Sequence, residues 1–117
     1  MFKITSIVVL VFLLFSMVAC ERQIDKDLIS AAAHDGIEEV EALLNKGANI
    51  EAHASDDWTA LTIAAERGRF NTVKLLLEKG AKVNAKEGGG HTALFWAKEH
   101  KHTEVAELLI KAGAINE

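Results

Sequence analysis

Three glycines, Gly47, Gly80 and Gly113, stand 33 residues apart, each inside a copy of one short phrase. Asn45-Lys46-Gly47-Ala48-Asn49-Ile50-Glu51-Ala52 aligns with Glu78-Lys79-Gly80-Ala81-Lys82-Val83-Asn84-Ala85, and Lys111-Ala112-Gly113-Ala114-Ile115-Asn116 begins a third copy. A fixed period of this length marks a repeat array, in which one unit cannot bury its apolar face alone and stacking supplies the core. The composition points to helices. The chain has no Pro and no Tyr, whereas an all-β domain needs more turn and aromatic residues.

The clearest copy has Thr59, Leu61, Ala64 and Ala65, then Arg67-Gly68, then Val73, Leu75, Leu76 and Leu77 before Gly80-Ala81. The next has Thr92, Leu94 and Ala97, then Val105, Leu108, Leu109 and Ile110 before Gly113-Ala114. An earlier, more worn copy has Leu28, Ala31 and Ala32, then Gly36, Val40, Leu43 and Leu44 before Gly47-Ala48. Each threonine is placed to N-cap a helix, the leucine and alanine three residues apart give that helix one apolar face, and the glycine supplies a left-handed C-cap. With these residues in register, the chain over about residues 25 to 117 resembles the ankyrin-repeat family. The resemblance implies an all-α solenoid of three helix-turn-helix repeats joined by β-turns. Residues 27–53 would form a degenerate first repeat, 54–86 the second, and 87–117 a C-terminal capping repeat.

Departures from the family pattern carry expectations of their own. Ala60 and Ala93 replace the family's Pro, and Thr62 and Phe95 replace its His, which removes the usual Thr–His hydrogen-bond network. Asp35 and Lys101 stand where the glycine between paired helices belongs, and left-handed angles at Lys101 would cost about 1 kcal/mol. Lys98 takes the place of a buried alanine, which suits the polar outer face of a terminal repeat.

The N-terminus reads as an address. After Met1-Phe2-Lys3, residues 4 to 18 are apolar apart from Thr5, Ser6 and Ser16, a run too short for a spanning helix of about 20 residues and suited to a signal peptide over 1–19. Met17-Val18-Ala19-Cys20 resembles the lipobox of bacterial lipoproteins, with Met17 where leucine is usual. The resemblance implies that Cys20 is lipidated and anchors the chain at the extracytoplasmic side of the cell envelope. Ordinary cleavage nearby and an uncleaved anchor are the other readings. A lone cysteine has no internal disulfide partner. Residues 20–26 are expected to form a short tether of at most ~20 Å.

Chemistry is harder to find. The net charge of −4 disfavours nucleic-acid binding. His100-Lys101-His102 with His91 lacks the spacing of a metal site, and Gly88-Gly89-Gly90 lacks the Lys-Ser/Thr of a phosphate loop, so it reads as a flexible turn. Ser30 and Ser55 have no catalytic motif around them, and Asp56-Asp57 are adjacent residues on a turn tip with no buried environment. No enzyme activity, cofactor, metal or small-molecule substrate is expected.

In the ankyrin family, partners dock on the turn tips and on the inner face of each repeat's first helix. That register selects His53, Ser55, Asp56 and Trp58, then Glu66 and Arg67, then Lys86, His91, Phe95, Glu99 and His100. Trp58 is the leading candidate because tryptophan dominates binding hot spots, with packing along the next turn as its alternative role; Phe95 and Trp96 read mainly as packing. The expected function is protein–protein binding, as adaptor or stabiliser of an envelope partner. The alternative is an immunity protein that neutralises a secreted toxin such as a phospholipase, with a metal-binding protein or enzyme as a remote third reading.

Overall fold

The computed structural model describes residues 23–115; the signal-peptide reading and Cys20 fall outside them. Six helices follow one another: α1 (23–33), α2 (Ile37–Asn45), α3 (Ala60–Glu66), α4 (Phe70–Glu78), α5 (Ala93–Glu99) and α6 (Thr103–Lys111). No strand occurs among the described residues, only an isolated bridge between His53 and Thr59 at the base of one turn.

Local chemistry sets the helix ends. Thr59 and Thr92 take extended angles and their hydroxyls accept the Thr62 and Phe95 backbone N–H groups at 3.3 and 3.4 Å. Gly80 follows α4 at φ 92°, which turns the chain so that Ala81 N–H reaches the Leu76 carbonyl at 3.0 Å. The same closure recurs after Gly47 and Gly113.

Each helix pair exposes one apolar side that the next pair covers. α3 packs against α4 and α5, α5 against α6, and α4 against both α2 and α6, so first helices form one row and second helices another. The seam between them is continuous, from Leu28 and Val40 through Leu61, Val73 and Leu76 to Leu94, Val105 and Leu109, all buried. Ala31, Ala32, Ala64, Ala65 and Ala97 are buried members of the same core. The expected three-repeat solenoid is the fold observed.

Polar contacts between repeats add register. The Glu51 carboxylate accepts the Lys82 N–H at 2.8 Å, and one period later the Asn84 amide oxygen accepts the Ile115 N–H at 2.9 Å. In place of the family's Thr–His network, the Thr59 and Thr62 hydroxyls bond each other at 3.0 Å. Residues 23–26, which the sequence suggested as part of a tether, are helical. Ile24 packs against the core, and the Asp25 carboxylate accepts the Asn49 N–H at 2.8 Å, which fastens the start of α1 to the turn after α2.

Both non-glycine replacements between paired helices take left-handed angles, Asp35 and Lys101 each at φ 60°. Asp35 has a compensating role: its carboxylate accepts the Thr72 hydroxyl at 2.7 Å, while Arg69 Nε donates to the Ala33 carbonyl at 3.2 Å, tying the first repeat to the second. Lys101 sits exposed at the edge of the array. Lys101→Gly is therefore expected to stabilise the domain by about 1 kcal/mol, raising the melting temperature by a few degrees. A thermal melt in which the midpoint stays put or falls contradicts strain at that position.

Candidate functional site

The turn ahead of α3 folds tightly. Ala54 N–H donates to the Trp58 carbonyl at 2.9 Å across a 3₁₀ turn at Ser55–Asp57, and Asp56 and Asp57 both take left-handed angles, φ 59° and 62°. This geometry leaves His53, Ser55 and Asp56 exposed and sets the half-buried Trp58 against Trp96 of α5. His53 lies 3.5 Å from Asp57, an exposed pair worth little.

The next turn is organised around a buried carboxylate. Glu87 accepts the Gly89 N–H at 2.6 Å and the His91 N–H at 3.0 Å, and its Oε1 lies 2.8 Å from His91 Nδ1. Gly88 N–H donates to the Asp56 carbonyl at 2.6 Å, joining the two turn tips, and Gly90 N–H donates to the Glu87 carbonyl at 2.8 Å. Where the sequence suggested a flexible glycine turn, all three glycine N–H groups are engaged. The Gly89 bond, opposed by burial and reinforced by the backbone, side chain and charge of His91, holds the Glu87 pKa below its ordinary value of 4.5. A depressed carboxyl pKa stabilises the fold fully above 4.5 and loses that contribution as pH falls through the lower, folded-state value. Glu87→Gln is expected to melt earlier than wild type at neutral pH, with the gap closing on acidification below pH 4.5. Equal midpoints at neutral pH contradict this role.

Above these turns runs a ridge of rings. Trp58 packs on Trp96 with centroids 5.0 Å apart, Phe95 meets Trp96 edge-on at 5.3 Å, and His91 stacks on Phe95 at 4.0 Å. Trp96 continues to His100 at 6.1 Å, whose Nε2 lies 3.9 Å from the Glu66 carboxylate. Trp58, His91, Phe95 and Trp96 are half-buried and His100 is exposed. Trp96 Nε1 is buried with no acceptor among the described residues, a desolvated donor that costs about 1–3 kcal/mol.

The structure thus brings together Trp58, Glu66, His91, Phe95 and His100 from the sequence-derived set, with Trp96 at their centre. Arg67, Lys86 and Glu99 are exposed. Trp58 packs on Trp96 and remains partly accessible. His102 was not singled out by sequence. Its Nε2 lies 2.9 Å from the Glu66 carbonyl, and its ring covers Gly68, where an added Cβ would come within 2.6 Å of Nδ1. Among the described residues no three His, Cys, Asp or Glu side chains are grouped to hold a metal ion.

A family model described as ankyrin repeats, in 3 copies, matches residues 10–87 and 28–117. A search of curated proteins found no match. Ankyrin repeats are protein–protein interaction modules. With the family model spanning most of the sequence and the helix pairs stacked in its register, the chain belongs to the ankyrin-repeat family.

Proposed function

We propose that the chain is a lipid-anchored protein on the extracytoplasmic side of a bacterial cell envelope, and that it holds a protein partner as adaptor or stabiliser. The observation that carries the binding part is the ridge Trp58–Trp96–Phe95–His91. It is half-exposed aromatic surface on a rigid array beside the turn tips, with the large contact area and low ordering entropy of a hot spot. The anchoring part rests on Cys20, the only cysteine, at the end of the apolar run and directly before Glu21-Arg22-Gln23. Because α1 is helical from residue 23, only residues 20–22 separate the anchor from the folded body, at most ~11 Å of chain. The partner therefore works at or very near the membrane.

Among the described residues no helix is long and apolar enough to cross a bilayer. One acyl chain binds marginally and two or more bind stably, which makes the anchor a strong and testable feature. Cys20→Ala is expected to move the protein out of the membrane fraction or to accumulate it as unprocessed precursor. Unchanged fractionation and gel mobility would refute lipidation at Cys20 while leaving the binding surface untouched.

A further inference from the structure

The start of α1 lies on the edge of the array that carries the turn tips. One period of 33 sets residue 23 in register with Asp56, and residue 26 with Thr59, the N-cap of α3. Where the second repeat has a turn ahead of its first helix, the first repeat has one more turn of α1, directed toward the tips. The contacts agree. Asp25 accepts the Asn49 N–H at 2.8 Å, and Asp25, Lys26 and Ile29 face Asn49, Glu51 and His53 across a cleft of about 450 Å³. The edge continues from there: His53 lies 3.5 Å from Asp57, and the Asp56 carbonyl accepts the Gly88 N–H at 2.6 Å. The turns inside each helix pair, at residues 34–36, 67–69 and 100–102, close the opposite edge. A seven-residue helix such as α3 sets the two edges about 10 Å apart.

The proposed anchor gives this edge a direction. Residues 20–22 span at most ~11 Å, and packed helices in neighbouring repeats stand about 8–10 Å apart. The tip at Ser55–Asp57 is thus held within roughly 20 Å of the lipid surface, less than the ~30 Å diameter of a small folded domain. Lipid itself is a poor occupant of that space. Segments that lie on a bilayer draw on Lys and Arg, and neither occurs from residue 47 to residue 66. Glu51, Asp56 and Asp57 stand there instead, with both aspartates exposed.

From this geometry we infer that the partner is a membrane-embedded protein, held through a Lys- or Arg-bearing segment that it presents just outside the bilayer. The inference rests on the anchored, partner-binding reading above and adds the class of the partner. Such a segment fits the gap without room for a separate domain. Its cations suit the exposed carboxylates of Asp56 and Asp57. Trp58 directly follows that tip, so the ridge of rings begins where the segment arrives.

Orientation is read on the full lipidated chain in vesicles of phosphatidylethanolamine and phosphatidylglycerol that carry an energy acceptor on their headgroups. A donor dye on Ser55→Cys is expected to transfer about twofold more efficiently than the same dye on Asn71→Cys, exposed near the opposite edge. The wild-type chain takes no dye while Cys20 carries lipid. A reactive Cys20 would sink the anchored reading, and this inference with it. With Cys20 blocked, equal transfer from the two positions, or the reverse order, overturns the inference alone. In intact cells, a cleavable photo-cross-linker on Ser55→Cys is expected to capture a protein that, once released, stays in the membrane through an alkaline carbonate wash. Asp56→Asn with Asp57→Asn is expected to cut that yield severalfold, and asparagine tolerates the left-handed angles, so the turn keeps its shape. A captured protein that washes off, adducts to lipid alone, or a yield indifferent to the two aspartates overturns the inference.

Discussion

Replacing Leu76 by alanine is expected to cost roughly 2–5 kcal/mol and to unfold much of the array. Leu76 is fully buried on α4, the helix that packs on α2, α3 and α6 at once. Truncation removes the transfer energy of the side chain and opens a cavity that three neighbours cannot easily close. Three repeats are near the minimum that sustain a shared core, and domains of this size hold only about 5–15 kcal/mol in reserve. The loss therefore spreads along the stack. Urea denaturation should show the midpoint falling with little change in slope. An unshifted midpoint would remove Leu76 from the core and with it the stacked arrangement of α2, α4 and α6.

Trp58→Ala is expected to weaken capture of the protein partner by about 30-fold or more, the loss typical of a hot-spot residue at about 2 kcal/mol. The indole has one side on Trp96 and one side accessible, so truncation removes contact area and loosens the ridge together. Trp58→Phe separates these effects, because it keeps a ring against Trp96 while reducing the accessible surface; its affinity should fall between wild type and alanine with near-normal melting. Titration of each variant against the partner recovered by cross-linking, alongside thermal melts, decides the matter. Unchanged affinity with a lowered melting point would assign Trp58 to packing alone.

Most of the fold is legible in the sequence because its determinants are local and recur. The glycine after each second helix, the threonine before each first helix and the leucines between them act within a few residues, so a 33-residue period exposes all three at once. What escapes is carried by contacts between repeats. The extension of α1 back to residue 23 is fastened by Asp25 to Asn49, and composition alone reads that stretch as polar tether. His102 reaches the Glu66 carbonyl from the following repeat, a pairing that no single copy reveals. The order in the glycine turn was within reach: Glu87, Gly89 and His91 alternate along the chain, a spacing that allows one carboxylate to collect two backbone N–H groups. A run of three glycines obscures it. The contact of Trp58 with Trp96 is not legible either, since it joins a residue ahead of α3 to one on α5 of the next repeat.

The central claim is that a protein partner docks on the turn tips and the ridge of rings formed by Trp58, Trp96, Phe95 and His91. A benzophenone side chain in place of Ser55, at the exposed tip beside Trp58, tests it directly when irradiated in intact cells. The account predicts one discrete cross-linked protein from position 55, lost in the Trp58→Ala background, and none from the same probe at Lys74 on the exposed side of α4. Cross-links that arise equally from both positions, or that persist without Trp58, would contradict it.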